Sequence, residues 1–234
     1  MTDTSNPGSA ASSDQQEGFD LDPLEIRVLA VLIEKAFVTP DNYPLSINSL
    51  VNGCNQLTGR EPVMTLNEAD VCEALHRLTQ RKLVAQRDQA SARVAKYEHL
   101  VRLRYSLPPP EQAALAVLML RGPQTPGEIR QRTERMHSFV DIAAVDAVLE
   151  HLSEKYPPMV APLPKAPGTK EIRFAHLLGG DEMFTQMSDA LADTTRHNTA
   201  PRGRTAELEE EIQRLRQDID LLRSEFEKFR AQFD

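Results

Sequence analysis

The 234-residue chain has no tryptophan, few aromatic residues (5%) and only two cysteines, Cys54 and Cys72. So few cysteines exclude a disulfide framework, and each stands in an apolar helical pattern where a free thiol is expected to act as a small buried hydrophobe. No stretch approaches the roughly 18 unbroken apolar residues of a membrane-spanning helix, so no membrane partner is expected. Residues 1–18 are rich in Ser, Asp and Gln with no apolar run. They read as a disordered lead, neither signal peptide nor anchor, so a cytoplasmic location is expected. Also missing are a glycine-rich phosphate loop, a Gly-x-Ser-x-Gly elbow and a Cys-x-x-Cys pair, so no enzyme, cofactor or metal is expected.

Positive charge is scarce as well: the formal net charge is -8. It is unevenly placed. Residues 1–18 carry -3, and the chain from Gly203 onward has nine acids and six bases, again -3. About -2 remains for the body, where local clusters decide what binds.

What the chain does contain is a repeat. Leu29-Ala30-Val31-Leu32 through Thr39-Pro40 recurs 86 residues later as Leu115-Ala116-Val117-Leu118 through Thr125-Pro126, six of twelve positions being identical. Each copy continues into the same apolar helical pattern, Val71, Ala74, Leu75, Leu78 and then Val145, Val148, Leu149, Leu152. Each closes on an aromatic-x-His-Leu strand, Tyr97 to Leu100 and Phe174 to Leu177. Three helices followed by a two-stranded ribbon is the plan of a winged helix.

The expected fold is therefore mainly α with small β wings (α+β). It comprises a tail over 1–18, winged-helix domains over 19–107 and 108–180, a polar linker over 181–203 with a short helix near Met183 to Leu191, and a coiled-coil helix over 204–234. In the first copy a helix runs from Asp22 to Phe37 and Ser46 caps a second. A capping box of Thr65 and Glu68 starts a third helix that ends near Lys82. The following hairpin has a second strand over Arg93 to Leu103, with Tyr97, His99, Val101 and Leu103 on one face. Pro108-Pro109-Pro110 reads as a stiff extended linker. In the second copy, Thr125, Pro126 and Glu128 supply an N-cap, a first-turn proline and a capping-box partner. A third helix covers Asp141 to Lys155, and a shorter wing pairs Met159 to Pro162 with Glu171 to Leu177.

Leu208, Ile212, Leu215, Ile219, Leu222, Phe226, Phe229 and Phe233 alternate steps of four and three, a heptad repeat. Leucine at d with isoleucine at a favours parallel dimers. Glu211, Asp218 and Glu225 at g would face Arg216, Arg223 and Arg230 at e of a parallel partner. A homo-oligomer is expected, with an amphipathic helix folded on its own domain as the alternative.

Three strings carry a further likeness. Asn55-Gln56-Leu57-Thr58-Gly59-Arg60-Glu61-Pro62-Val63, Lys96-Tyr97-Glu98-His99 and Leu120-Arg121-Gly122-Pro123-Gln124-Thr125-Pro126-Gly127-Glu128 resemble the YceH-like family of bacterial proteins. Glu34-Lys35, Thr39-Pro40 and Tyr43-Pro44-Leu45-Ser46 fit the same pattern, and the resemblance spans about Leu21 to Leu178. It implies a tandem winged-helix fold but no catalytic set. Leu57, where the family pattern has a basic residue, removes a phosphate contact.

A winged helix usually presents its third helix to the major groove and its wing to the backbone. Here the third helices are acidic: Glu68, Asp70 and Glu73 in the first, and Asp141, Asp146, Glu150 and Glu154 against Lys155 in the second. Downstream lies the opposite. Arg77, Arg81, Lys82, Arg87, Arg93, Lys96, Arg102 and Arg104 face only Asp88 and Glu98, a net of +6. These eight are the expected binding residues for double-stranded DNA, through salt-sensitive contacts of low sequence selectivity. A second cluster, Arg121, Arg130, Arg132 and Arg135, is diluted by Glu128 and Glu134. The expectation is a dimeric DNA-binding regulatory protein. The alternative is a protein-interaction adaptor using the acidic third helices. His99 and His176, at equivalent strand positions, are expected to be packed core histidines, and Tyr43, Asn55, Gln56, Arg60, Gln124 and Glu128 to brace turns and helix starts.

Overall fold

The computed structural model describes residues 19–87, 94–165 and 171–199, with side chains to residue 192 in the last segment, and positions 213, 214, 217 and 219. Up to Ser188 they build one compact unit of mixed α and β structure.

The first repeat opens with α1 (Pro23–Val38), started by Asp22, whose side chain accepts the backbone N–H groups of Leu24 and Glu25 while Glu25 returns the bond to Asp22 N. A 3-10 turn, Pro40–Asn42, leads into β1 (Leu45–Ser46), and α2 (Ile47–Cys54) begins on Ser46 as its cap. Then follow α3 (Glu68–Gln80), β2 (Val84–Arg87), β3 (Lys96–His99) and a single short helix, α4 (Val101–Tyr105). The strands lie in the order β1-β3-β2, all antiparallel, with Leu45 opposite Tyr97 and Val84 opposite His99.

The second repeat rebuilds this arrangement in shorter form: α5 (Pro109–Arg121), α6 (Pro126–Thr133), α7 (Ile142–Glu154), β4 (Val160–Pro162) and β5 (Phe174–His176). Gln124 bridges Phe174 as Leu45 bridges Tyr97, so the same sheet order recurs. The Thr125 cap closes as the sequence indicates, with Thr125 Oγ1 accepting from Glu128 N and Glu128 Oε2 from Thr125 N.

α1 and α5 pack against each other, and every residue from Glu25 to Ile33 and from Glu111 to Leu120 is buried. Helices buried on all sides have little amphipathic contrast, which is why the apolar repeat in α1 and α5 is nearly continuous. One apolar core spans both repeats, with Leu29, Leu32 and Leu78 from the first and Leu115, Leu118 and Leu149 from the second. Phe19 and Leu21 enter the same core; Leu21 N donates to Leu178 O, and the Phe19 ring lies 5.1 Å from that of Tyr105.

Several expectations are corrected. Helix α3 starts on an Asn67–Asp70 capping box, not on Thr65 and Glu68. Asn55 explains the displacement: its side-chain amide binds both the N–H and the carbonyl of Leu66, holding 65–66 outside the helix. The second strand of the first ribbon ends at His99 instead of running to Leu103. Leu100 N donates to Leu83 O and Leu100 O accepts from Arg104 N, which turns Val101 and Leu103 into α4. Pro109 and Pro110 occupy the first turn of α5, where proline loses no helical hydrogen bond, so the triple proline is no extended linker. Cys72 is exposed, whereas Cys54 is buried as expected.

Beyond Gly179, α8 (Gly180–Thr199) is longer than the short helix expected around Met183 to Leu191, and from Asp189 onward the chain belongs to a second unit. Of the heptad positions, Ile219 is helical and half exposed. Leu208, Ile212, Leu215, Leu222, Phe226, Phe229 and Phe233 lie outside the described residues. Among the described residues no helix is long and apolar enough to cross a membrane.

Candidate interaction surfaces

The eight bases expected to hold DNA meet different fates. Arg77 is bound to Asp22 and Glu73 and lies 3.7 Å from the buried Glu25. Arg81 reaches Glu25 at 3.4 Å and donates to the carbonyls of Phe19 and Asp20. Both thus fasten the start of α1 to α3. Arg87 pairs with Glu98 across the ribbon at 2.6 Å. Lys82, Lys96, Arg102 and Arg104 make no ion pair with an acid among the described residues, although Arg104 lies over the Tyr105 ring at 5.6 Å. Arg93 lies outside the described residues. Three of the eight are therefore neutralised internally, and the half-buried Lys96 is the described free base within the strands.

The third helices turn acidic faces outward. Glu68, Cys72, Glu73, His76 and Gln80 are exposed on α3. On α7 the exposed face carries Asp141, Asp146, Glu150 and Glu154 interleaved with Ile142, Ala143 and Ala147, and Val140 just ahead of it is 86% exposed. That apolar tip is held rigidly: Arg130 donates to the carbonyls of Phe139 and Val140, and Asp141 caps the helix through Ala144 N. Mixed apolar and acidic side chains on a fixed helix would repel phosphates and suit a basic polypeptide.

A third surface draws together residues far apart in the sequence. Arg60 forms a two-pronged pair with Glu34 (2.6 and 3.2 Å) and also bonds Gln56 and the carbonyl of Gly53. Fully buried Arg27 donates to the carbonyls of Cys54 and Pro62. Glu61 N donates to Leu120 O at the end of α5, and the backbone of Gly59 (φ +76°) lies against the Arg121 guanidinium. On α6, Glu128 holds Arg173 at 2.6 Å and Arg132 at 3.6 Å. The Asn55–Val63 and Leu120–Glu128 strings are thus two sides of one polar junction, which displays Leu57 at its tip, 81% exposed. Burial pushes both carboxyls up, yet Arg60 holds Glu34, and the Thr125 N–H followed by Arg173 holds Glu128, below the usual carboxylate range.

The polar residues expected to brace the fold do so: Tyr43 Oη accepts from His99 N at 2.7 Å, and Asn55, Gln56, Arg60 and Glu128 act as above. Gln124 holds its place through its backbone, while its side-chain amide is buried without a hydrogen-bond partner. His99 and His176 are packed inward, and burial depresses both to about 4, with Glu98 partly opposing the shift at His99. His151 Nδ1 lies 3.7 Å from Glu111 on α5, which also takes Lys155 at 3.1 Å. Among the described residues, no group of three His, Cys, Asp or Glu side chains is placed to hold a metal ion.

Comparison with known proteins agrees with the bacterial likeness of the strings. Residues 21–169 match the family described as "Protein of unknown function, DUF480". A UPF0502 protein of Aromatoleum aromaticum is 73% identical over 204 residues, 87% of this chain and 90% of the relative. A UPF0502 protein of a Janthinobacterium strain is 48% identical over the whole of both chains, and one of Geobacter sulfurreducens 47% over 92% of this chain and 98% of its own. A family match over well more than half of the chain, together with relatives alike along nearly their whole length, places this chain in the DUF480 family of bacterial UPF0502 proteins.

Proposed function

We propose that this chain is a cytoplasmic, non-enzymatic tandem winged-helix protein that binds a polypeptide partner and self-associates through its C-terminal heptads. Two rounds of three helices and an antiparallel ribbon support the fold reading. The observation that carries the functional reading is the solvent face of α7, where Val140 and Ile142, 86% and 49% exposed, stand beside Asp141, Asp146 and Glu150. Charge complementarity selects a segment that interleaves Lys or Arg with apolar side chains. Capture from nuclease-treated lysate should retain a stoichiometric protein that Val140→Glu releases. A partner lost on nuclease treatment of the wild type, or one indifferent to Val140→Glu, overturns the reading.

Lys82, Lys96, Arg102 and Arg104 favour a second reading, weak DNA binding by the first ribbon. It requires a duplex shift at low salt that disappears when Arg93, Lys96, Arg102 and Arg104 are replaced by Ala. The heptads predict that truncation after His197 gives a monomer by sedimentation; a persistent dimer moves the association element into the body.

A further inference from the structure

The junction between the two repeats holds more positive charge than it neutralises. Lys35, Arg60, Arg121, Arg132 and Arg173 gather there with Glu34, Glu61 and Glu128. Lys35 and Arg60 share Glu34, at 3.2 and 2.6 Å, and Arg173 takes Glu128. Arg132 is left with a 3.6 Å contact to that same, already engaged carboxylate. Arg121 has neither an ion pair nor a hydrogen bond among the described residues; Glu34 and Glu61 attract it only through space. Burial comes first, then the like charges of Arg132 and Arg60, in holding its guanidinium below its ordinary value. A partly desolvated fork without an acceptor gains from any oxyanion that reaches it.

The loop opposite is shaped to leave this fork room. Gly59 has φ +76°, and a Cβ there would stand 3.2 Å from Arg121 Nη2. The loop is fixed on either side by Arg60 to the Gly53 carbonyl, Arg27 to the Pro62 carbonyl and Glu61 N to the Leu120 carbonyl. The loop is thus anchored before a ligand arrives, which lowers the entropic cost of ordering it on binding.

We propose that Arg121, with Arg132 beside it and the Gly59 loop as its wall, is a receiving site for a phosphate monoester. A dianion matches the two uncompensated positive charges, which one carboxylate would leave half neutralised, and a guanidinium fork binds phosphate oxygens in pairs. The phosphate comes from a free small molecule or from a phosphorylated side chain of another protein.

Titration of the full-length protein with inorganic phosphate, followed through the arginine Nε–H signals in 1H–15N spectra, reads the site directly. A saturable shift is expected in the wild type, weakened about tenfold or more in Arg121→Gln, partly restored in Arg121→Lys, and unchanged in Arg135→Gln just beyond α6. Unchanged binding in Val140→Glu separates this site from the α7 reading, so either can fail alone. A phosphoserine peptide that binds more tightly than inorganic phosphate assigns the source to a modified protein, and equal binding assigns it to a free phosphate. Absence of saturation, an unaltered shift in a folded Arg121→Gln, or equal affinity for the same peptide with Glu in place of phosphoserine overturns the proposal.

Discussion

The carboxylate of Asp22 does two things at once: one oxygen caps α1 through the N–H groups of Leu24 and Glu25, and the other binds the guanidinium of Arg77 on α3, 55 residues away. Glu25, 2% exposed, is the acid behind this contact and takes Arg81 as well. Arg77 and Arg81 therefore compensate a buried carboxylate and hold the chain entry at Phe19 and Asp20, a structural task that competes with any outward role.

Arg77→Ala should accordingly lower stability by about 1–3 kcal/mol, since it leaves the buried Glu25 with Arg81 alone and strips Asp22 of its cross-helix partner. Arg102→Ala, which removes an exposed base with no acid partner among the described residues, should change stability by under about 0.5 kcal/mol. Urea unfolding of both variants is the check. Equal midpoints would return Arg77 to the set of free surface bases.

Gly59 and Gly127 should respond oppositely to alanine. At Gly59 a Cβ meets both a left-handed φ and the Arg121 guanidinium, so Gly59→Ala is expected to cost about 1–3 kcal/mol. Gly127 lies in the first turn of α6 with only Thr125 Oγ1 at 3.9 Å, and Gly127→Ala should stabilise by about 0.4–1 kcal/mol by reducing unfolded-chain freedom. Thermal melting in opposite directions is the expected result. A neutral Gly59→Ala would show that the loop relaxes without loss.

The same contrast between near and far partners explains what could be read from the amino acids alone. The α6 start was legible because Thr125 and Glu128 are three residues apart and satisfy each other. The Thr65–Glu68 pair has equal local merit, yet Asn55, eleven residues upstream, fixes Leu66 outside the helix and leaves Asn67 and Asp70 to form the box. The repeat, the inward-packed histidines and the bracing role of Asn55, Gln56 and Arg60 were visible as patterns. The partners of Arg77 and Arg81 were not, because they come from the chain's start, and no spacing rule links residues 52 to 62 apart. The Arg121 cluster looked diluted by Glu128 for a related reason: Arg173, from beyond the second wing loop, captures that carboxylate.

The two thiols should differ sharply in alkylation. Burial pushes the Cys54 thiol up to about 12, although Arg27 and Arg60 pull it back, and its side chain is inaccessible. At neutral pH it holds roughly a thousandfold less thiolate than an ordinary cysteine. Brief iodoacetamide treatment of the native protein should add one group, at Cys72, which is exposed on α3. The second group should appear only in denaturant. Modification of Cys54 in the native protein would mean that the Arg27 anchor opens readily.

Acid should destabilise the body before most carboxylates titrate. His176 is buried and His99 half-buried, and both ionise near 4 in the folded chain, against 6.5 when free, with burial the main cause in each. Because the unfolded chain takes up these protons first, their contribution is complete above about pH 6.5, declines as pH falls, and is exhausted once pH passes below the native value near 4. The expected loss across that window is on the order of 2–3 kcal/mol for each histidine. Below it, protonation of Glu34, held low by Arg60, and of Glu128, held low by the Thr125 N–H and Arg173, extends the loss toward stronger acid. Urea unfolding at pH 7.5 and pH 5 should give a markedly lower stability at pH 5. His176→Gln should flatten part of that dependence while lowering stability at pH 7.5. A pH dependence identical in wild type and variant would place the acid sensitivity elsewhere and leave the strand histidines as ordinary titrating groups.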